Sequence, residues 1–180
     1  MNVEPTSLPG VLVLVPRCFT DERGYFLESW QATRYAAAGL PATFIQDNLS
    51  RSRRGTVRGL HYQVGTPQGK LVSVVRGAAF DVAVDLRRSS PTFGRWFGTV
   101  LSDENHAQLW IPEGFGHGFV ALSDLCDLAY KVTTPFSAGD ERCVAWDDPK
   151  IGIAWPEVQP RIISPRDAAA PRLDAAEVFS

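Results

Sequence analysis

An all-β fold, most simply a double-sheet jelly roll, is what this sequence predicts, and three observations carry it. Apolar or alternating runs of strand length recur along most of its 180 residues. Turn-forming clusters of Gly, Pro, Ser and Asp separate these runs at regular spacing. Only one early segment carries a clear helical stop, so a sandwich or barrel of short strands with a few short helices accounts for the pattern.

The first strand is Val11-Leu12-Val13-Leu14-Val15, a continuous apolar run closed by Pro16 and short enough to be a buried strand. A helix follows over Trp30 to Ala38, stopped by Gly39 with Pro41 beyond. The hexapeptide Arg58-Gly59-Leu60-His61-Tyr62-Gln63 and the segment from Lys70 both have strand character. From Leu71 to Leu86 two strands meet at a turn marked by Gly77. In the second of them Phe80, Val82, Val84 and Leu86 share one face and Asp81, Ala83 and Asp85 the other. That acidic face opens either to solvent or to the barrel interior. Further strands fit residues 95–101, 107–111, 118–122, 127–133 and 142–146. A short helix fits 103–106 or the last fifteen residues less well. With no internal repeat and no linker, residues 1–180 read as a single domain, with 155–180 as an irregular C-terminal arm packed over the barrel.

Composition narrows the class. Apolar content of 44% and charged content of 21% are those of a soluble globular domain, one long enough to bury a core unaided. A net charge of −2 gives no reason to expect a nucleic-acid or anionic-membrane partner. The cluster Arg51, Arg53, Arg54 and Arg58 could still hold one phosphorylated ligand. Three cysteines, Cys18, Cys126 and Cys143, lack C-x-x-C spacing, which argues for a reduced cytoplasmic protein rather than a disulfide framework. Glu4, Pro5 and Pro9 interrupt any leader-like N-terminus, and no apolar run reaches membrane-spanning length.

The chemistry centres on His61 and Lys70. Histidine titrates near neutrality, and a lysine can stabilise an enolate, so the pair suits proton abstraction beside a carbonyl. Taken alone, Lys70 also fits a strand-end surface lysine. The histidines His61, His106 and His117 include no H-x-H pair, so no metal site is expected. Tyr130 fits a core tyrosine or a pocket-facing proton donor. Asp167, in Ser164-Pro165-Arg166-Asp167-Ala168, has the local character of a loop or helix-cap residue.

Taken together, the motifs resemble the dTDP-4-dehydrorhamnose 3,5-epimerase family. They are Asp21-Glu22-Arg23-Gly24-Tyr25-Phe26-Leu27-Glu28, Gln46-Asp47-Asn48, the Arg58–Gln63 hexapeptide, Gln68-Gly69-Lys70-Leu71-Val72 and Phe80-Asp81-Val82-Ala83-Val84-Asp85. Ser90-Pro91-Thr92-Phe93-Gly94, Trp110-Ile111-Pro112-Glu113-Gly114-Phe115, His117-Gly118-Phe119 and Tyr130-Lys131 continue the series. Trp146-Asp147-Asp148-Pro149 and Asp167-Ala168-Ala169-Ala170-Pro171 complete it, so the resemblance spans about residues 8 to 173.

The resemblance implies a metal-free, cupin-type jelly roll, a homodimer with shared active sites, and no cofactor. Its implied substrate is dTDP-4-dehydro-6-deoxy-D-glucose, epimerised at C3 and C5. By resemblance His61 is the general base, Asp167 the carboxylate paired with it, Lys70 the group near the C4 oxygen and Tyr130 the acid on the opposite face. Arg23 and Glu28 would reach the neighbouring subunit's nucleotide, and Phe136 would stack on the thymine. Gln46, Asp47, Asn48, Arg58, Lys70, His117, Glu141 and Arg166 fall at substrate-binding positions. Three other readings share the scaffold: an epimerase acting at C3 or C5 alone, a non-catalytic sugar-nucleotide binder and a metal-dependent oxygenase.

Overall fold

A computed structural model describes all 180 residues, Met1–Ser180. In chain order the elements are β1 (Asn2–Pro5), β2 (Leu12–Val15), β3 (Cys18–Asp21), β4 (Gly24–Leu27), α1 (Ala32–Ala36), β5 (Gln46–Arg53), β6 (Thr56–Gln63) and β7 (Lys70–Arg76). They continue as β8 (Ala78–Asp85), β9 (Trp96–Ser102), β10 (Gln108–Ile111), β11 (Phe115–Ala121), β12 (Leu125–Val132), β13 (Glu141–Cys143), β14 (Ile162–Ile163) and α2 (Pro165–Ala168).

Two sheets face each other, giving the double-sheet jelly roll that the strand pattern predicts. One has the order β1-β2-β10-β7-β12-β5 and the other β13-β6-β11-β8-β9. All of these pairings are antiparallel, and β14 adds to β6 in parallel. Strand parity fills the space between the sheets. Val72, Val74, Leu109, Ile111 and Leu128 come from the first sheet, and Ala79, Ala83, Leu101, Phe115 and Phe119 from the second. Removal of these side chains from water, at roughly 1.5–3 kcal/mol for each large aliphatic, holds the sheets together.

The outer face of the second sheet is apolar as well. Leu60, Tyr62, Val82, Val84 and Leu86 are covered by Val144, Ile151, Leu173 and Ala176 from the C-terminal quarter of the chain. The arm expected to be irregular therefore carries β14 and α2 and forms a third layer. It also explains why β8 is buried on both sides. Its Phe80–Leu86 face meets the arm, and its acidic face turns to the barrel interior, where Asp81 and Asp85 are fully buried.

Several elements differ from their sequence outlines. Helix α1 is shorter than expected, although Gly39 (φ +91°) does end the turn beyond it. Strand β5 carries no apolar alternation, because its inward positions Gln46, Asn48, Ser50 and Ser52 are all polar. The hairpin of β3 and β4 exposes Phe19, Tyr25 and Phe26, so burial pattern could not mark it either.

Candidate active site

One end of the space between the sheets stays open as a cavity of about 170 Å³. Its walls come from both sheets: Arg58, His61 and Gln63 on β6 and His117 on β11 face Lys70 on β7 and Tyr130 on β12. The fold thus places the imidazole and the phenol on opposing walls.

Arg58 and His61 are three apart, an odd spacing that regular β geometry would send to opposite faces. A bulge reconciles them. His117 pairs with His61, while Phe119, two residues on, pairs with Arg58 three residues back along β6. The extra residue sits at Gly59–Leu60, and Leu60 turns outward into the layer beneath the arm. Gly59 has φ +115°, and a Cβ there would lie 2.5 Å from the His117 carbonyl oxygen. Only glycine lets β6 approach β11 this closely.

His61 Nε2 and Asp167 Oδ1 are 2.7 Å apart. Asp167 comes from α2, far away in sequence, and three contacts fix it. Ser164 caps the helix by accepting the Asp167 N–H at 3.0 Å, the Gly59 N–H donates to Asp167 Oδ2 at 3.2 Å, and β14 pairs with Thr56 and Val57 just before the hexapeptide. Burial pushes the Asp167 carboxyl up, but the His61, Gly59 and Ser164 hydrogen bonds outweigh it and hold the group below the ordinary carboxylate value. With His61 Nε2 engaged by a carboxylate, Nδ1 is the nitrogen left to accept a proton.

Lys70 is 7% exposed, and its Nζ donates to the His61 carbonyl oxygen at 3.3 Å. Burial lowers its pKa to about 8, against the opposing pull of Asp81 and Glu141. A buried lysine on a cavity wall is expensive to keep and is a mark of function. Burial also raises the Tyr130 phenol, with Glu141 adding to the effect, so this group carries its proton at neutral pH. His117 Nε2 lies 2.8 Å from Asp81 Oδ2, and both residues are buried.

The remaining expected positions fall into three groups. Phe136 and Glu141 line the cavity, Glu141 pairs with Arg166 at 2.6 Å, and Gln46 bonds both Asn48 and the Phe136 N–H. Arg23 and Glu28 lie outside the cavity: Arg23 pairs with Asp21 on the β3–β4 hairpin, and Glu28 with Arg34. Asp47 has the opposite parity to Gln46 and Asn48, and it forms an ion pair with Lys131 at 2.9 Å. Sequence reading assigned no role to Gln63, which ties down the segment bearing Phe136 by accepting from Ser137 N and donating to the Pro135 carbonyl. It also left Asp81 undecided, since its strand gave two faces and no means of choosing between them.

His61, Cys143 and Asp167 offer donor atoms within 4.8 Å of one another. They suit a metal poorly. The set has three donors, two of them already joined to each other, and burial with the Asp167 charge raises the Cys143 thiol to about 12. What the arrangement can do is proton transfer: a carboxylate-backed base on one wall, with a protonated phenol and an ammonium on the wall that faces it.

The family model described as dTDP-4-dehydrorhamnose 3,5-epimerase matches residues 5–175. The dTDP-4-dehydrorhamnose 3,5-epimerase of Salmonella typhimurium is 52% identical over 178 residues, spanning 98% of this chain and 97% of that one. The enzyme of the same name from Pseudomonas aeruginosa is 47% identical over 180 residues, spanning 99% of each. Among solved structures, the dTDP-6-deoxy-D-glucose-3,5-epimerase of Legionella pneumophila in complex with dTDP-4-keto-L-rhamnose superposes with a TM-score of 0.95 at 48% identity. It covers 97% of this chain and 93% of that one.

Proposed function

This chain belongs to the dTDP-4-dehydrorhamnose 3,5-epimerase family, and from that premise we propose that His61 and Tyr130 exchange protons at C3 and C5 of the bound sugar. The reaction is the epimerisation of dTDP-4-dehydro-6-deoxy-D-glucose to dTDP-4-dehydro-L-rhamnose. The observation that carries the residue assignment is the opposed pair: His61 backed by Asp167 on one sheet and Tyr130 on the other, across one cavity.

The C4 ketone acidifies the hydrogens on both neighbouring carbons. His61 Nδ1 takes one of these protons, and Asp167 stabilises the imidazolium that forms. Electron density moves to the C4 oxygen, where the Lys70 ammonium meets the developing charge. Tyr130 then delivers a proton to the other face of the carbon, which inverts it. Reprotonation of the phenolate from solvent and release of the extra proton from the imidazolium reset the site, and the net change is stereochemical alone.

Arg58 and Arg166 suit the diphosphate because guanidinium groups bind phosphate oxygens bidentately. The half-exposed Phe136 ring suits the thymine, and Gln46, Asn48, His117 and Glu141 complete the contacts. We read residues 1–180 as one domain that works in the cytoplasm as a homodimer. Arg23 at the hairpin turn, 85% exposed, would enter the neighbouring subunit's site together with Glu28. The apolar groups around it, Phe19, Tyr25 and Phe26, are the kind of surface a partner subunit covers.

Exchange of solvent deuterium into C3 and C5, followed by NMR, tests the reaction. Incorporation at both carbons is expected, incorporation at one alone would make the protein a mono-epimerase, and incorporation at neither rejects epimerisation. His61→Asn should slow exchange by roughly 10²- to 10⁴-fold while leaving dTDP affinity close to that of the wild type.

A further inference from the structure

Beside His117, on the neighbouring strand of the same sheet, lies a carboxylate that the reaction as described does not use. Asp81, on β8, is fully buried. It sits directly across from Phe119, and the next inward residue on that strand, His117, holds its Oδ2 at 2.8 Å. Its other oxygen, Oδ1, is buried with no hydrogen-bond partner. A buried carboxylate oxygen left unpaired is costly unless a nearby positive charge compensates. The cation available is Lys70, whose only hydrogen bond is to the His61 carbonyl oxygen. Ionisable groups that surround Lys70 come from five strands: Arg58 and His61 on β6, Asp81 on β8, His117 on β11, Tyr130 on β12 and Glu141 on β13. Of the two carboxylates, Glu141 is already engaged at 2.6 Å by Arg166, which leaves Asp81 as the one not neutralised by an arginine.

We propose that Asp81 is a positioning residue for the epimerisation, acting through its neighbours: it holds the His117 ring in place and keeps the Lys70 ammonium charged where the C4 oxygen becomes negative. This inference rests on the epimerase reading for its catalytic consequence; its geometric basis is the buried, unpaired Asp81 Oδ1 and the Asp81–His117 contact, at the edge of a cavity that His117 and Lys70 line together. The shift of Lys70 supports it, since burial lowers the pKa to about 8 and Asp81 is the largest influence in the other direction. Without Asp81 the burial penalty would act with less opposition, and Lys70 would lose its proton at lower pH.

The chain has three lysines, Lys70, Lys131 and Lys150, so their side-chain NMR signals are few enough to assign with Lys131→Arg and Lys150→Arg. Lys70 in the full-length protein is expected to titrate near 8, and in Asp81→Asn its midpoint should move down. The alkaline limb of the kcat profile should move with it. At a pH near 8 kcat should fall roughly fivefold for the first unit by which the midpoint drops, approaching tenfold per unit at higher pH, with KM changing less than about threefold. Asp81→Glu, which keeps the charge, should restore the Lys70 midpoint. Where Asn is not accommodated, Asp81→Ser, smaller and also neutral, is read in the same way. An unmoved Lys70 midpoint in the neutral variants overturns the role of Asp81 and leaves the epimerase intact. Absence of exchange in the wild-type protein overturns the epimerase and leaves the Lys70 titration measurable.

Discussion

A methyl group at position 59 would stand 2.5 Å from the His117 carbonyl oxygen and 2.6 Å from the Gly118 Cα, both backbone atoms that cannot rotate away. Gly59→Ala must therefore push β6 off β11 or leave its left-handed backbone region. A loss of about 1–3 kcal/mol in urea unfolding is expected, with activity reduced further because His61 and Arg58 move together. Lys70 offers a second test, in which stability and activity respond to pH with opposite signs. The folded protein releases the Lys70 proton near 8 and the unfolded chain near 10.5, so between these values the unfolded chain holds the extra proton and stability rises with pH. Measured against Lys70→Met, the wild type should gain stability across that window, while its kcat falls as pH climbs through about 8. A flat difference would mean that Lys70 is not buried as described. At this scale the family resemblance paired His61 with Asp167, while the residues around each gave no sign of the other. The two are 106 positions apart.

At the scale of elements, the short helix α2 matters because it aims one carboxylate. Ser164 caps it, and the capped N–H belongs to Asp167 itself. Ser164→Ala should cost about 1 kcal/mol in thermal unfolding. On the proposed mechanism it should also lower kcat more than KM, since the residues assigned to substrate binding are untouched while His61 loses its fixed partner. Equal effects on both constants would place Asp167 in substrate binding instead. The strands with continuous or alternating apolar runs were legible from the chain, among them β2, β7, β8 and β10. Strand β5 was not, because its inward side chains are chosen for a polar cavity and not for the core. The bulge in β6 was hidden for a related reason: it is defined by the partner strand's register, which a single strand's pattern does not contain.

At the scale of the whole molecule, the proposed dimer predicts complementation between two defective chains. Arg23→Ala damages what one subunit would lend, and His61→Asn destroys what the other supplies at home. Mixing the two variants after co-expression should recover activity, because a mixed dimer contains one site with His61 and a borrowed Arg23. Activity no higher than that of the separate variants would confine Arg23 to its own chain. The arm has a similar global role, since it covers the outer face of the second sheet and delivers Asp167 in the same run of chain.

Residue periodicity and turn chemistry are local, so the sequence by itself determined that the chain is a strand-built jelly roll. Its ordered motifs also marked it as a member of the epimerase family, with His61, Lys70, Tyr130 and Asp167 as the groups to watch. Which face of β8 turned inward, how Arg58 and His61 came to share a wall, and that Asp81 stands beside His117 were decided by tertiary structure alone. Each depends on a neighbour distant in sequence: the arm that covers one face, the bulged register with β11, the packing of two sheets around one cavity. Those long-range contacts are what turned a set of titratable residues into opposed walls of one site.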